Sequence, residues 1–201
     1  MSRLTVEYPD AHCELDHRNP YELLAATILS AQCTDVRVNM VTPALFARYP
    51  SPYELAVARP EDVEDLVRST GFYKNKTRSL IGMAQALVDR YHGEVPSSMR
   101  DLVSVPGVGR KTANVVRSVA MDLPGLTVDT HVGRVALRLA LTEETDPVRV
   151  ELALNPMVPV GERGVFSLRL ILHGRETCQA RRPRCGDCAL ADICPSAGRL
   201  G

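Results

Sequence analysis

The chain has 201 residues, which is enough for one large domain or two small ones. Hydrophobic residues make up 45% of it, aromatic residues only 4%, and leucine, alanine, valine and arginine dominate, which favours helices over a β-sandwich or β-barrel. The 24 basic residues balance the 24 acidic ones, so composition alone gives no support for nucleic-acid binding, and any such function must rest on local clusters.

No apolar run is long enough to span a bilayer, and the first residues lack the apolar core of a secretory signal. We therefore expect a cytoplasmic protein in a reducing compartment, with no membrane partner. In such a compartment clustered cysteines bind metal more often than they form disulfides, which matters because the chain holds six.

Helix signals follow one another along the chain. Asn19 and Ser51 each offer a side-chain cap, followed directly by a proline and, three residues after the cap, by a glutamate. Caps and apolar spacing predict further helices after Asp35, up to Gly71, over 76–91, around 99–103, over 110–121, from Asp129, from Pro147 and over 163–174. No run of alternating residues indicates a strand, so the predicted fold class is all-α.

The stretch VPGVGRKTA resembles a nucleotide-binding loop in composition but not in order. Such a loop needs a glycine where Ser104 stands, and its lysine follows the last glycine directly, whereas Arg110 intervenes here. The alternative is a hairpin between two helices, in which Pro106 ends the first helix and Gly107 and Gly109 permit a tight turn without Cβ clashes. The unpaired N–H groups at the start of the second helix can then bind a phosphate without needing surface charge, although Pro-Gly-x-Gly taken alone indicates no more than a turn.

Four cysteines near the C-terminus follow the pattern C-x6-C-x2-C-x5-C: Cys178, Cys185, Cys188 and Cys194. One C-x2-C pair in a compact run of loops is compatible with zinc or with an iron–sulfur cluster. Zinc sites usually place two close pairs on either side of a longer loop, whereas one pair flanked by two single cysteines suits a cuboidal cluster. The other two, Cys13 and Cys33, lie outside the pattern and are predicted to be packing residues.

The loop between the first two of these cysteines carries Arg181, Arg182 and Arg184. A solvated basic edge is the simplest interpretation of such a group. We favour phosphate contact instead, because a metal-bound loop would hold the arginines rigidly.

Lys111 and Asp129 both stand at predicted helix starts. The first turn of a helix disfavours the charged form of an amine, which suits a nucleophile, although a surface lysine that reaches a DNA phosphate explains Lys111 equally well. Asp129 stands where an N-cap belongs, and a capping carboxylate is fixed well enough in orientation to stabilise a developing positive charge.

Four segments together identify a family resemblance. Leu102–Val116, Val128–His131, Leu29–Asp35 and Leu172–Arg175, which leads into the cysteines, closely resemble the endonuclease III family of helix-hairpin-helix DNA glycosylases, in that family's order over nearly the whole chain. The resemblance implies a [4Fe–4S] cluster on the four cysteines. It also implies that Lys111 is the Schiff-base lysine and Asp129 the essential acid of a glycosylase and abasic-site lyase for oxidised pyrimidines.

The resemblance further implies how DNA is held. Gln32 corresponds to the residue that fills the hole left by a flipped base, and Phe72 to a second wedge position that is often leucine in the family. The hairpin, with Gly107, Gly109 and Arg110, corresponds to the family's phosphate-binding element. The expected partner is double-stranded DNA with damaged bases or abasic sites, bound by a nucleoid-associated monomer.

The expected architecture has two helical lobes with a DNA-binding cleft between them. Residues 17–123 would form a six-helix barrel that includes the hairpin, and residues 1–16 plus 124–201 would carry the cluster. Two alternatives share parts of this pattern: an adenine-removing mismatch glycosylase, which typically lacks a lysine at position 111 and has a further C-terminal domain, and a non-catalytic DNA-binding or redox module.

Overall fold

A computed structural model of the chain describes residues 1–199, in which all regular structure is helical and no strand occurs, so the prediction of an all-α fold is confirmed. Within this range there are eleven α-helices: α1 Ser2–Glu7, α2 Pro20–Leu29, α3 Asp35–Arg48, α4 Pro52–Ala56, α5 Pro60–Val67, α6 Tyr73–Tyr91, α7 Met99–Leu102, α8 Arg110–Ala120, α9 Thr130–Arg138, α10 Pro147–Leu154 and α11 Arg163–Glu176. None of the helices in this range is long and apolar enough to cross a membrane.

The capping residues act as the sequence predicts. The Asn19 side chain accepts a hydrogen bond from the N–H of Glu22, and Ser51 forms a complete capping box with Glu54. Helix α3 was expected to start after Asp35. It starts at Asp35 itself, and Thr34 is its N-cap. Short polar side chains therefore mark the helix starts correctly, to within a residue.

The two main differences from expectation are the start of α6 and the presence of α1. Helix α6 begins at Tyr73, three residues earlier than predicted, because the carbonyl of Phe72 accepts hydrogen bonds from the N–H groups of Asn75 and Lys76. Helix α1 was not predicted at all. It is short, has no side-chain cap and buries only Leu4, so its sequence carries little periodic signal.

The chain divides into two compact units. The central unit is Cys13–Asp122, and the terminal unit combines Met1–His12 with the described part of Leu123–Gly201. The central unit is organised around α2, whose side chains are buried on nearly every face. A helix that is apolar all round belongs inside a core, and α2 indeed packs against α3, α6 and α8. Cys13 and Cys33 pack against this core, as predicted.

The terminal unit is built on the crossing of α9 and α11. Gly174 allows this close approach, since a Cβ added to it would lie 2.8 Å from the Cβ of His131. Helix α1 also packs on α11, and α10 packs on α9. The cysteine-rich segment follows α11 directly, so this crossing sets where the cysteines begin.

Candidate active site and cysteine cluster

The hairpin between α7 and α8 depends on one of its two glycines. Gly107 has a φ of +79°, and a Cβ added there would lie 2.8 Å from the Cβ of Ser79, so no other residue fits without strain. Gly109 differs from the prediction: its φ is −90°, and none of the described atoms would lie within 4 Å of an added Cβ. It is the N-cap of α8, which therefore starts without a side-chain cap and with open space beside its first N–H groups.

Lys111 lies in the first turn of α8, on the exposed side of that helix. The opposite side of α8 buries Ala113 and Val116 in the central core. The amphipathic pattern of the helix thus fixes which way Lys111 faces. The amine stands in solvent at the positive end of the helix dipole, where an approaching electrophile can reach it.

Asp129 is the N-cap of α9 in the terminal unit. Its Oδ1 accepts hydrogen bonds from the N–H groups of His131 and Val132, at 2.9 and 2.8 Å. Within residues 1–199 its Oδ2 makes no hydrogen bond. The carboxylate is therefore held rigidly through one oxygen while the other remains available, which reconciles its capping role with a chemical one.

Two arginines of α9 were not singled out from the sequence. Arg134 donates to Nδ1 of His131 at 3.1 Å, to the carbonyl of Gly174 at 2.8 Å and to the carbonyl of Cys178 at 3.1 Å. It thereby connects the first turn of α9, which Asp129 caps, to the first cysteine. The bonds to α11 and the cysteine loop span about 40 residues of sequence, so no local motif signals them.

Arg138, one turn further along α9, holds the loop that follows Cys178. Its guanidinium donates to the carbonyls of Gln179 and Ala180 at 2.7 and 3.0 Å, and to the sulfur of Cys178 at 3.3 Å. The hydrogen bonds from Arg138 to these backbone carbonyls therefore hold the loop independently of any metal. Its three predicted phosphate-binding side chains are all exposed: Arg181, Arg182 and Arg184.

The four cysteines of the pattern line one cavity of about 20 Å³, and none of them is in a disulfide. Its other walls include Val135, Leu139 and Pro183. Across residues 1–199 no three histidine, cysteine or acidic side chains meet closely enough to hold a single metal ion. Four thiols spread around a cavity are a suitable donor set for an iron–sulfur cluster, which has several metal corners.

A buried histidine stands behind this cavity. His173 is 2% exposed, its Nε2 lies 3.6 Å from the sulfur of Cys188, and its Nδ1 lies 3.5 Å from the hydroxyl of Tyr8. Burial lowers the pKa of His173 and raises the pKa of the Cys188 thiol. A neutral imidazole that accepts from Tyr8 can donate its remaining proton to the sulfur, in the manner of outer-shell ligands at metal centres.

Two of the predicted wedge residues lie around a second cavity, in the central unit. Gln32 and Phe72 both have left-handed backbones, with φ of +54° and +48°, and both side chains are exposed, Phe72 at 65%. Together with Gly107 and Lys76 they line a cavity of about 250 Å³. Strained non-glycine backbone is uncommon and tends to cluster at functional sites, so this cavity is a candidate site on physical grounds.

Comparison with known proteins places the chain among repair enzymes. Residues 25–159 match the family described as HhH-GPD superfamily base excision DNA repair protein. Endonuclease III of Synechocystis sp. is 52% identical over 191 residues, which are 94% of this chain and 87% of that protein. Endonuclease III of Bacillus subtilis is 45% identical over 188 residues, 93% of this chain and 86% of that protein.

Solved structures agree with the sequence comparison. A trapped covalent intermediate of endonuclease III with DNA superposes with a TM-score of 0.92 at 44% identity and covers 98% of this chain and 93% of its own. A thermostable thymine-DNA glycosylase, 22% identical, has a TM-score of 0.88 with 98% of this chain and 94% of its own covered, which shows a shared fold.

Proposed function

The chain belongs to the endonuclease III family of the HhH-GPD superfamily, and from that premise we propose that it is a bifunctional DNA glycosylase and abasic-site lyase. Its substrates are oxidised pyrimidines in double-stranded DNA, and it cleaves the strand 3′ to the abasic site by β-elimination. It acts as a monomer in the cytoplasm, in association with the nucleoid.

The observation that carries this proposal is the placement of Lys111. An exposed amine in the first turn of a helix without a side-chain cap is accessible to an approaching sugar carbon. A relative 44% identical to this chain has been trapped as a covalent intermediate with DNA, which supports a covalent step here. A mismatch glycosylase that lacks this lysine has no corresponding nucleophile.

The reaction follows from these groups. The damaged base is first flipped out of the duplex, and the neutral amine of Lys111 attacks C1′ as the bond from C1′ to the base breaks and the base leaves with its electron pair. The carboxylate of Asp129 stabilises the positive charge that grows on the sugar. The departing base takes one proton from the nitrogen, whose lone pair then breaks the C1′–O4′ bond; the sugar ring opens to a protonated imine, and O4′ takes a proton from water. This imine acidifies the C2′ proton, and loss of that proton expels the 3′ phosphate and cuts the strand. Water then hydrolyses the imine and restores Lys111.

The hairpin supplies a phosphate site that needs no net positive charge. The first N–H groups of α8 point out of a helix end that begins at Gly109, and the open space beside that glycine admits a phosphate oxygen. Arg110 follows directly and adds a positive charge at the same point. This explains how a chain with equal numbers of acidic and basic residues can bind DNA.

Gln32 and Phe72 act on the duplex beside the flipped nucleotide. Gln32 fills the space that the base leaves, and the ring of Phe72 stacks on the orphaned partner. Their exposure, their left-handed backbones and their common cavity support this assignment. Base–aromatic stacking is worth about 1–3 kcal/mol, which offsets part of the cost of unstacking.

Cys178, Cys185, Cys188 and Cys194 would hold a [4Fe–4S] cluster. When bound, the cluster crosslinks the segment from residue 178 to residue 194 and stiffens the loop that Arg138 already holds. Arg181, Arg182 and Arg184 on that loop contact the DNA backbone. The donor set of four cysteines around one cavity, none of them in a disulfide, supports this role.

Borohydride trapping on a duplex with an abasic site tests the proposal, because it reduces the imine to a stable adduct. We expect an adduct with the wild-type protein and with Lys74→Ala, a matched exposed lysine, and none with Lys111→Ala. Asp129→Asn keeps a capping side chain, so it should slow base excision without lowering the unfolding temperature. Absence of an adduct in the wild type would instead indicate a DNA-binding module without lyase activity.

A further inference from the structure

Lys76 makes hydrogen bonds to both ends of the turn that contains Phe72. The backbone N–H of Lys76 donates to the carbonyl of Phe72 at 3.1 Å, and the ammonium of the same lysine donates to the carbonyl of Thr70 at 2.7 Å. Gly71 lies between these two carbonyls with a φ of +72°. Two consecutive residues, Gly71 and Phe72, thus have left-handed backbones, and Lys76 fixes the carbonyl on each side of the first.

Lys76 is unusual among the lysines of this chain because it is buried. It is 5% exposed, while Lys74, two residues earlier on α6, is exposed. Burial lowers the pKa of Lys76, which reflects the cost of removing an ammonium from water. An apolar side chain of the same length would avoid that cost, so core packing alone does not explain a lysine here.

The burial also excludes a direct role in binding the DNA backbone. A lysine that contacts phosphate must present its ammonium to solvent. The ammonium of Lys76 instead points to a carbonyl inside the turn, and the residue lines the cavity that Gln32 and Phe72 share.

We propose that Lys76 is a positioning residue for base extrusion, which holds the strained turn 70–72 so that the ring of Phe72 stands outward as a rigid wedge. The inference rests on the proposed function, since it gives that wedge its use. Without the ammonium, the Thr70 carbonyl loses its partner and the backbone at Phe72 relaxes to a more populated conformation, because a left-handed phenylalanine persists only where its surroundings fix it.

The test distinguishes an effect on base flipping from an effect on the chemical steps. Lys76→Met keeps the aliphatic stem and removes the donor. In single-turnover assays we expect excision of a paired, oxidised pyrimidine to slow about tenfold, the loss of roughly one base–aromatic stack. Strand cleavage at a preformed abasic site should change much less, since no base pair has to be broken. Lys74→Met, on the exposed side, should match the wild type in both assays.

A double-variant cycle asks whether Lys76 acts through Phe72. If it does, Phe72→Ala with Lys76→Met slows excision no more than Phe72→Ala alone. Independent, multiplicative losses would overturn the inference, and so would an unchanged ratio of the two activities in Lys76→Met. Should Lys76→Met unfold at the assay temperature, the same ratio and cycle measured with Lys76→Gln decide the matter. Failure of wild-type trapping at an abasic site would instead reject the proposed function.

Discussion

The two units of this protein are stabilised in different ways, although they are of comparable length. Among the described residues, the central unit buries 26 hydrophobic side chains in one cluster, and the terminal unit buries 13. The terminal unit relies instead on polar connections, above all the guanidinium groups of Arg134 and Arg138 on backbone carbonyls. We therefore expect the proposed cluster on the four cysteines to stabilise this unit, since metal binding contributes directly to the stability of a small fold.

The largest expected effect comes from removing a cysteine of the pattern. Cys188→Ser should lose the brown colour of the cluster and its broad visible absorbance, and limited proteolysis should then cut the terminal unit first, since this unit has the smaller core. The central unit should keep its helical circular dichroism. Cys33→Ser, which alters a partly buried cysteine outside the pattern, is the matched control and should keep the colour.

A colourless wild-type protein that contains zinc would reject the cluster and restore the zinc interpretation. Proteolysis that begins in the central unit of Cys188→Ser would contradict the difference between the two units. Either outcome is readable from absorbance, metal analysis and mass spectrometry of the fragments.

The second expected effect concerns the hairpin of the central unit. Gly107→Ala forces an alanine into a left-handed backbone and brings its Cβ within 2.8 Å of Ser79, so we expect a loss of about 1–3 kcal/mol in the free energy of unfolding. Gly109→Ala has neither problem and should leave stability nearly unchanged. It places a methyl group beside the start of α8, however, and should weaken DNA binding.

Chemical denaturation and DNA titration of both variants check this prediction. Equal losses of stability in Gly107→Ala and Gly109→Ala would show that the turn uses both glycines, as the sequence alone suggested. Unimpaired DNA binding by Gly109→Ala would remove the helix start as a phosphate site.

The features that were predictable from sequence are those set by neighbouring residues. Asn19, Ser51 and Asp129 cap helices because a short polar side chain satisfies an N–H two or three positions away. The cysteines are brought to one cavity by a segment of only 17 residues. Local chemistry determines both outcomes, so a sequence pattern is enough to anticipate them.

The features that were missed depend on contacts distant in sequence or on unusual backbone. Arg134 and Arg138 act on carbonyls about 40 residues away, and nothing in α9 itself indicates those partners. The start of α6 was placed too late because Phe72 adopts a conformation that phenylalanine rarely takes. Nothing in the sequence distinguishes Lys76 from an exposed lysine on a helix, although the structure buries it.

The smallest expected effect is a gain in the stability of the terminal unit, and it tests how far that unit depends on α9. Gly133 lies inside α9, and an added Cβ would have no described atom within 4 Å, so alanine fits without strain. Alanine restricts the unfolded chain and favours the helix, which should raise the free energy of unfolding by about 0.5–1 kcal/mol. Urea denaturation of Gly133→Ala measures this gain. Because Arg134 and Arg138 stand on the same helix, a more stable α9 should also slow the release of iron to a chelator. A stabilised protein that loses iron at the wild-type rate would show that the stability of α9 does not determine how firmly the cysteine loop is held.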